Sequence, residues 1–169
     1  MNMTGKTHFA FGILLGTTYG MQTAHDLSTF AGIVGTTAVA SLVPDICHHK
    51  SKAGKLIWPI SWFVRLLFGH RTLTHSILFL CLTSVLLYLA HVNIPFIIAF
   101  NIGMISHLVL DMLTPQGVTL FYPIEKKIRW PLHFKTGGII DISLATTFSI
   151  LTMYIFYQEM FHRIMNWLK

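Results

Sequence analysis

The sequence predicts an all-α fold: an integral membrane bundle of about five transmembrane helices, with one further amphipathic helix lying in the membrane interface. Three observations predict it. The 169 residues are 53% hydrophobic and only 11% charged, against roughly 25% charged residues in a soluble domain, and mean hydropathy is positive. The apolar residues come in blocks of near-membrane length. The ionisable residues gather where those blocks begin and end.

Taken in order, segments 8–22 and 28–44 are rich in Gly, Ala, Ser and Thr, the small residues that let membrane helices pack closely. Segments 76–90, 94–113 and 138–157 are more strongly apolar and approach the roughly 20 residues that cross a bilayer. Between them, GKLIWPISWFVRLLFG at 54–69 is interrupted by Pro59 and carries Trp58, Trp62, Phe63 and Arg65. It reads as the interfacial helix, with its tryptophans at headgroup level. Stretches 46–71 and 114–137 are the two substantial loops. Residues 1–22 are not expected to be a signal peptide, because Gly, Thr and Tyr interrupt the apolar stretch. Two cysteines, one in a polar motif and one in an apolar run, do not make a disulfide framework. One domain, 1–169, is expected.

The polar residues carry the functional argument. His8 opens the first segment. Asp45, Cys47, His48 and His49 follow the second, with Pro44 expected to end that helix. His70 and His75 open the third, His107 and Asp111 close the fourth, and Asp141 stands near the start of the fifth. In an up-and-down bundle the starts of odd segments and the ends of even ones share one membrane face. All of these residues therefore converge from five separate segments.

Each motif has a chemical reading and a plainer one. In ISHLVLDML, His107 and Asp111 are four residues apart and project from one helical face; they can share a divalent cation or simply hydrogen-bond to each other. In LVPDICHHKS, Asp45 and His48 are the favoured ligands, with His49 turned elsewhere; the alternative is a solvated interfacial loop. In FGHRTLTHS, His70 and His75 are five apart and do not align on one helix. If Thr72 caps that helix, His70 can turn back toward His75. Arg71 suits a phosphate or carboxylate, or serves as a membrane anchor. His25, His91, His133 and His162 belong to no cluster. IEKKIRWPLHF, basic and aromatic, reads as interfacial anchoring.

Charge gives a topology. Lys6, Lys50, Lys52, Lys55, Arg65, Arg71, Lys126, Lys127, Arg129 and Lys135 fall on the motif side, and Arg163 and Lys169 on the other. The bias predicts a cytoplasmic motif face and a C-terminus outside. The net charge of +6 suits an anionic membrane surface, and no nucleic-acid-binding motif is present.

PDICHHKS, FGHRTLTHS and SHLVLDMLTPQGVTLFYP together resemble the family of bacterial inner-membrane-associated, metal-dependent hydrolases once described as LexA-binding. The resemblance runs from His8 to about Asp141. It implies metal ligation by His8, Asp45, His48, His70, His75, His107 and Asp111. It also implies turn roles for Gly117 and Pro123, and a later acidic position at Asp141. Two residues depart from the family pattern. Cys47 replaces an aspartate, which favours zinc over magnesium if the thiolate binds, and Thr72 replaces a glycine. The arrangement is also distantly similar to the all-helical zinc-dependent phospholipases C.

Five His and two Asp exceed the ligands of one catalytic zinc. Two divalent ions, zinc first and manganese or iron as alternatives, would suit displacement at phosphorus. Arg71, with Lys52 or Arg129, would hold phosphate oxygens, and Asp141 would act as a late ligand or as the base orienting water. A site at the bilayer interface suits a phosphoester of a membrane lipid or lipid-linked substrate. The other readings are a metal-binding regulatory or scaffold protein, a divalent-metal transporter, whose site should lie nearer the midplane, and peptide hydrolysis, for which the H-E-x-x-H helix is missing.

Overall fold

A computed structural model of the chain describes residues 3–47, 73–124 and 126–167. Among these the fold is built of helices with no β-strand, and five α-helices correspond to the five expected segments. They are α1 (Gly5–Thr23), α2 (Leu27–Ala40), α3 (Ile77–Leu89), α4 (Ile94–Met112) and α5 (Ile139–Trp167), with a 3-10 turn, Val43–Cys47, after α2. The interfacial helix expected at 54–69 lies outside the described residues.

Among the described residues three stretches are long and apolar enough to cross a membrane: Leu27–Asp45, Ile94–Met112 and Ile139–Phe161. Helix α1 has 19 residues, about 28 Å at 1.5 Å per residue, but its Gly and Thr content lowers its hydropathy. Helix α3 is apolar all round, buries none of its residues and has 13 of them. That is about 20 Å, short of the roughly 30 Å hydrocarbon layer.

Helices α1, α2 and α4 pack against one another as the centre of the bundle. Helix α5 leans on α1, and α3 leans on α4. Small residues set how closely the central three approach. A Cβ on Gly12 would stand 3.1 Å from the Ala38 Cα, and one on Gly16 equally close to the Val34 Cα. A Cβ on Gly103 would fall 2.4 Å from the Thr37 carbonyl oxygen. Lipid supplies little hydrophobic force between helices, so close backbone contact and polar pairs take over. One such pair ties α3 to α4, where the Ser84 hydroxyl donates to Asn101 Oδ1 at 2.7 Å. The rings of Phe11 and Phe148 stack between α1 and α5, with centroids 4.6 Å apart.

Two helix ends differ from the expectation. Helix α2 stops at Ala40 with Ser41 as its C-cap, three residues before Pro44, because the chain tightens into the 3-10 turn. Helix α3 is capped by Ser76, not Thr72: the Ser76 hydroxyl accepts from the Phe79 N–H at 3.2 Å. His75 therefore stands in the turn before α3 rather than within it.

The loop 113–138 joins α4 to α5 at the site end of the bundle. The orphan carbonyls of α4 are met by loop amides, Trp130 N–H to Met112 and Phe134 N–H to Leu113, both at 2.9 Å. Val118 and Ile128 form a small antiparallel bridge. Gly117 adopts φ +63° there, with the Ile128 carbonyl oxygen where a Cβ would be, so a glycine is needed.

Candidate metal centre

The fold brings five of the expected residues to one place. His8 comes from the first turns of α1, Asp45 from the 3-10 turn, His75 from the turn before α3, and His107 and Asp111 from the last turns of α4. Their ligand atoms form two overlapping groups, His8–His107–Asp111 and Asp45–His75–His107, with every donor within 4.8 Å of the others in its group. All but Asp45 are buried.

The spacing is informative. His75 Nε2 and His107 Nε2 are 3.3 Å apart. Asp111 Oδ2 lies 3.5 Å from His75 Nε2 and 3.4 Å from His107 Nε2. Asp111 Oδ1 lies 3.4 Å from His8 Nε2, and Asp45 Oδ1 is 3.9 Å from His75 Nε2. Ordinary N–H···O bonds span about 2.7–3.2 Å. A tetrahedral zinc with ligands at about 2.0–2.1 Å holds neighbouring ligand atoms about 3.3–3.4 Å apart. The triangle of His75, His107 and Asp111 is thus too wide for good hydrogen bonds and has the dimensions of one face of a zinc tetrahedron.

The surroundings fix the imidazole tautomers in the same sense. His107 Nδ1 donates to the Ser41 carbonyl oxygen at 2.7 Å, so Nε2 is the nitrogen turned inward. The Thr74 hydroxyl donates to the Pro44 carbonyl at 3.2 Å and accepts from His75 Nδ1 at 3.1 Å. Again Nε2 faces the centre. An outer partner on one ring nitrogen is the usual arrangement for metal-binding histidines. His8 differs. Its ring stacks on His107 with centroids 3.9 Å apart, and neither of its nitrogens has a hydrogen-bond partner. Asp111 Oδ1 likewise has none. Leaving a buried polar atom unsatisfied costs about 1–3 kcal/mol, so these orphan atoms fit a cation that would take them as ligands.

Asp141 stands elsewhere. It is fully buried, and its carboxylate belongs to neither donor group. Oδ2 accepts from the N–H of Gly137 at 2.8 Å and of Thr4 at 3.1 Å. Oδ1 accepts from the hydroxyls of Thr7 and Thr4. With four donors on it, this carboxylate has neither the position of a ligand nor the freedom of a base orienting water. His48, His70, Arg71 and the side chain of Cys47 lie outside the described residues. Arg129 is exposed in the loop. Ser41 and Thr74, the outer partners of the histidines, were not singled out from the sequence, since a serine after an apolar run and a threonine beside a histidine carry no distinctive pattern.

Residues 3–165 match the family described as YdjM inner membrane protein. The chain belongs to the YdjM family. A Bacillus subtilis (strain 168) relative, named Uncharacterized protein YvsG, is 37% identical over 162 residues, covering 95% of this chain and 98% of its own length. The inner membrane protein YdjM of Escherichia coli (strain K12) is 37% identical over 111 residues, 63% of this chain and 57% of its own. The Shigella flexneri protein of the same name matches to the same extent. No solved structure matches significantly. Family and apolar helices together make this YdjM-family chain a membrane protein, and its five gathered donors stand within the matched span.

Proposed function

We propose that the chain is a membrane-bound, metal-dependent hydrolase that cleaves a phosphoester of a membrane lipid or lipid-linked substrate. The observation that supports this reading is the triangle of His75 Nε2, His107 Nε2 and Asp111 Oδ2, with edges of 3.3, 3.5 and 3.4 Å. Such N/O spacing suits zinc, with manganese or iron as alternatives. The two carboxylate oxygens of Asp111 face different histidines, Oδ1 toward His8 and Oδ2 toward His75 and His107, which is compatible with two ions sharing it. A bound divalent ion would supply an acidified water and stabilise charge on phosphoryl oxygens.

The chain's own residues supply the rest. Ser41 and Thr74 hold two imidazoles in the ligating tautomer. Asp45, the most exposed of the five donors, marks the side from which substrate reaches the centre. The described cations Lys6, Lys126, Lys127, Arg129 and Lys135 stand at the same end of the bundle. That end is assigned to the cytoplasm and the end of α5 to the outside. Arg71 remains the proposed phosphate-holding group.

The depth of His8 and His107 favours a second reading, a structural metal in a regulatory or scaffold protein, where no exchangeable position is needed. Elemental analysis of detergent-purified protein, beside the double variant His107→Ala, Asp111→Ala, tests both. One or two equivalents of metal, lost in the variant, with phosphoester cleavage in mixed micelles of phospholipid, supports the hydrolase. Metal without turnover on any phospholipid supports the structural reading. No stoichiometric metal after reconstitution overturns both.

A further inference from the structure

The three buried histidines are not held in the same way. His107 is fixed by the Ser41 carbonyl and His75 by the Thr74 hydroxyl, whereas His8 makes no hydrogen bond through either nitrogen. Its ring touches His107 face to face, and a stack leaves the ring free to slide. Apart from Asp111 Oδ1, 3.4 Å from its Nε2 on the inner side, His8 is placed by the backbone of α1, and it lies only three residues inside that helix. First turns fray unless their free N–H groups are met, and Thr4, the N-cap, makes no side-chain cap bond of its own.

The missing cap arrives from α5. The Asp141 carboxylate accepts the Thr4 N–H at 3.1 Å and the hydroxyls of Thr4 and Thr7, while the Thr7 hydroxyl also lies 3.2 Å from the Asp141 carbonyl oxygen. Thr7 is fully buried and immediately precedes His8. The Gly137 N–H, donating at 2.8 Å, fixes the carboxylate from the loop side. A negative carboxylate at a helix N-terminus is also favoured by the helix dipole.

We propose that Asp141 is a positioning residue: by clamping Thr4 and Thr7 it sets where His8 stands in the metal centre. The consequence for metal binding rests on the metal-centre reading above. The clamp on His8 does not.

The test uses the full chain in detergent, stripped with EDTA and titrated with Co²⁺, whose visible absorption reports ligand number and symmetry. Asp141→Asn and Thr7→Val are compared with Thr7→Ser, which keeps the hydroxyl. The expected result is at least a roughly tenfold loss of cobalt affinity and an altered band in the first two, as for other outer-shell metal-site changes, with recovery in Thr7→Ser. In the metal-free state, His8 should become open to diethyl pyrocarbonate in Asp141→Asn while His107 stays protected, as read by mass spectrometry. A protein that takes no cobalt but shows this exposure of His8 overturns the metal reading and supports the clamp. Unchanged protection of His8 together with an unchanged cobalt titration overturns the clamp. Should Asp141→Asn fail to fold, Thr7→Val decides by the same two readouts.

Discussion

The Nε2 atoms of His75 and His107 face each other at 3.3 Å although the Nδ1 proton of each ring is committed outward, to Thr74 and Ser41 respectively. Two neutral imidazoles so arranged point lone pairs at one another, with a carboxylate oxygen 3.4–3.5 Å from both. A cation among them turns this repulsion into coordination.

Metal should therefore stabilise the fold. A ligand that binds the folded state stabilises it by about 2.7 kcal/mol at a hundred times its dissociation constant. Thermal melts in detergent should shift upward on adding Zn²⁺ to EDTA-treated protein, and His75→Ala should lose most of that shift. Equal melting with and without zinc would count against the centre. Because ligands bind deprotonated, the zinc-dependent shift should shrink as pH is lowered.

The second prediction concerns the tautomer. Thr74→Val removes the acceptor of the His75 Nδ1 proton and its link to the Pro44 carbonyl, with little change of volume. Metal affinity should fall by about 10–100-fold, as measured by competition with a chelating dye. Thr74→Ser, which restores a hydroxyl, should recover most of it.

The helices and their meeting point were legible in the sequence, and the reasons are physical. Apolar blocks of membrane length have few alternatives to helix, since lipid cannot satisfy exposed backbone groups. In an alternating bundle the parity of each segment then assigns His8, Asp45, His75, His107 and Asp111 to one end. Contacts between particular helices were not legible. Periodicity identifies a helix face but not the neighbour it meets, so neither the Gly12–Gly16 contact with α2 nor the reach of His107 to Ser41 could be read. In TLTHS, Thr72, Thr74 and Ser76 all offer a capping hydroxyl, and only the turn at Leu73–His75 selects Ser76. Asp141 pairs with residues 134 and 137 positions away, and no local pattern marks that pairing.

Acid sensitivity is expected at the other end of the bundle. Asp26 caps α2, accepting from the Ser28 hydroxyl and from the hydroxyl and N–H of Thr29. These bonds, the Ser28 one first, hold its carboxyl well below the usual carboxylate range. A depressed folded-state pKa contributes stability above the ordinary aspartate value of about 3.9, lost as pH falls through the folded-state value. Asp26→Asn should melt lower than wild type at pH 7, and the gap should narrow under strongly acidic conditions. The effect is small because the group is exposed to solvent. A gap that widens with acid would contradict this assignment.

The last prediction separates close packing from glycine content. Gly103 sits one turn before His107 on α4, and a Cβ there would stand 2.4 Å from the Thr37 carbonyl oxygen and 2.9 Å from the Ser41 nitrogen. Both contacts are backbone, so α4 must move away from α2 to admit a methyl group. That displacement lengthens the 2.7 Å bond from His107 to Ser41. Gly103→Ala should cost about 1–3 kcal/mol, as overpacking does, and should weaken metal binding as well. Gly35 on α2 has nothing within 4 Å of its notional Cβ. Gly35→Ala should be neutral or stabilising by up to about 1 kcal/mol through helix propensity, with metal affinity unchanged. Thermal melts and cobalt titrations of the two variants side by side check this, and equal behaviour would mean that the α2–α4 approach does not set the centre.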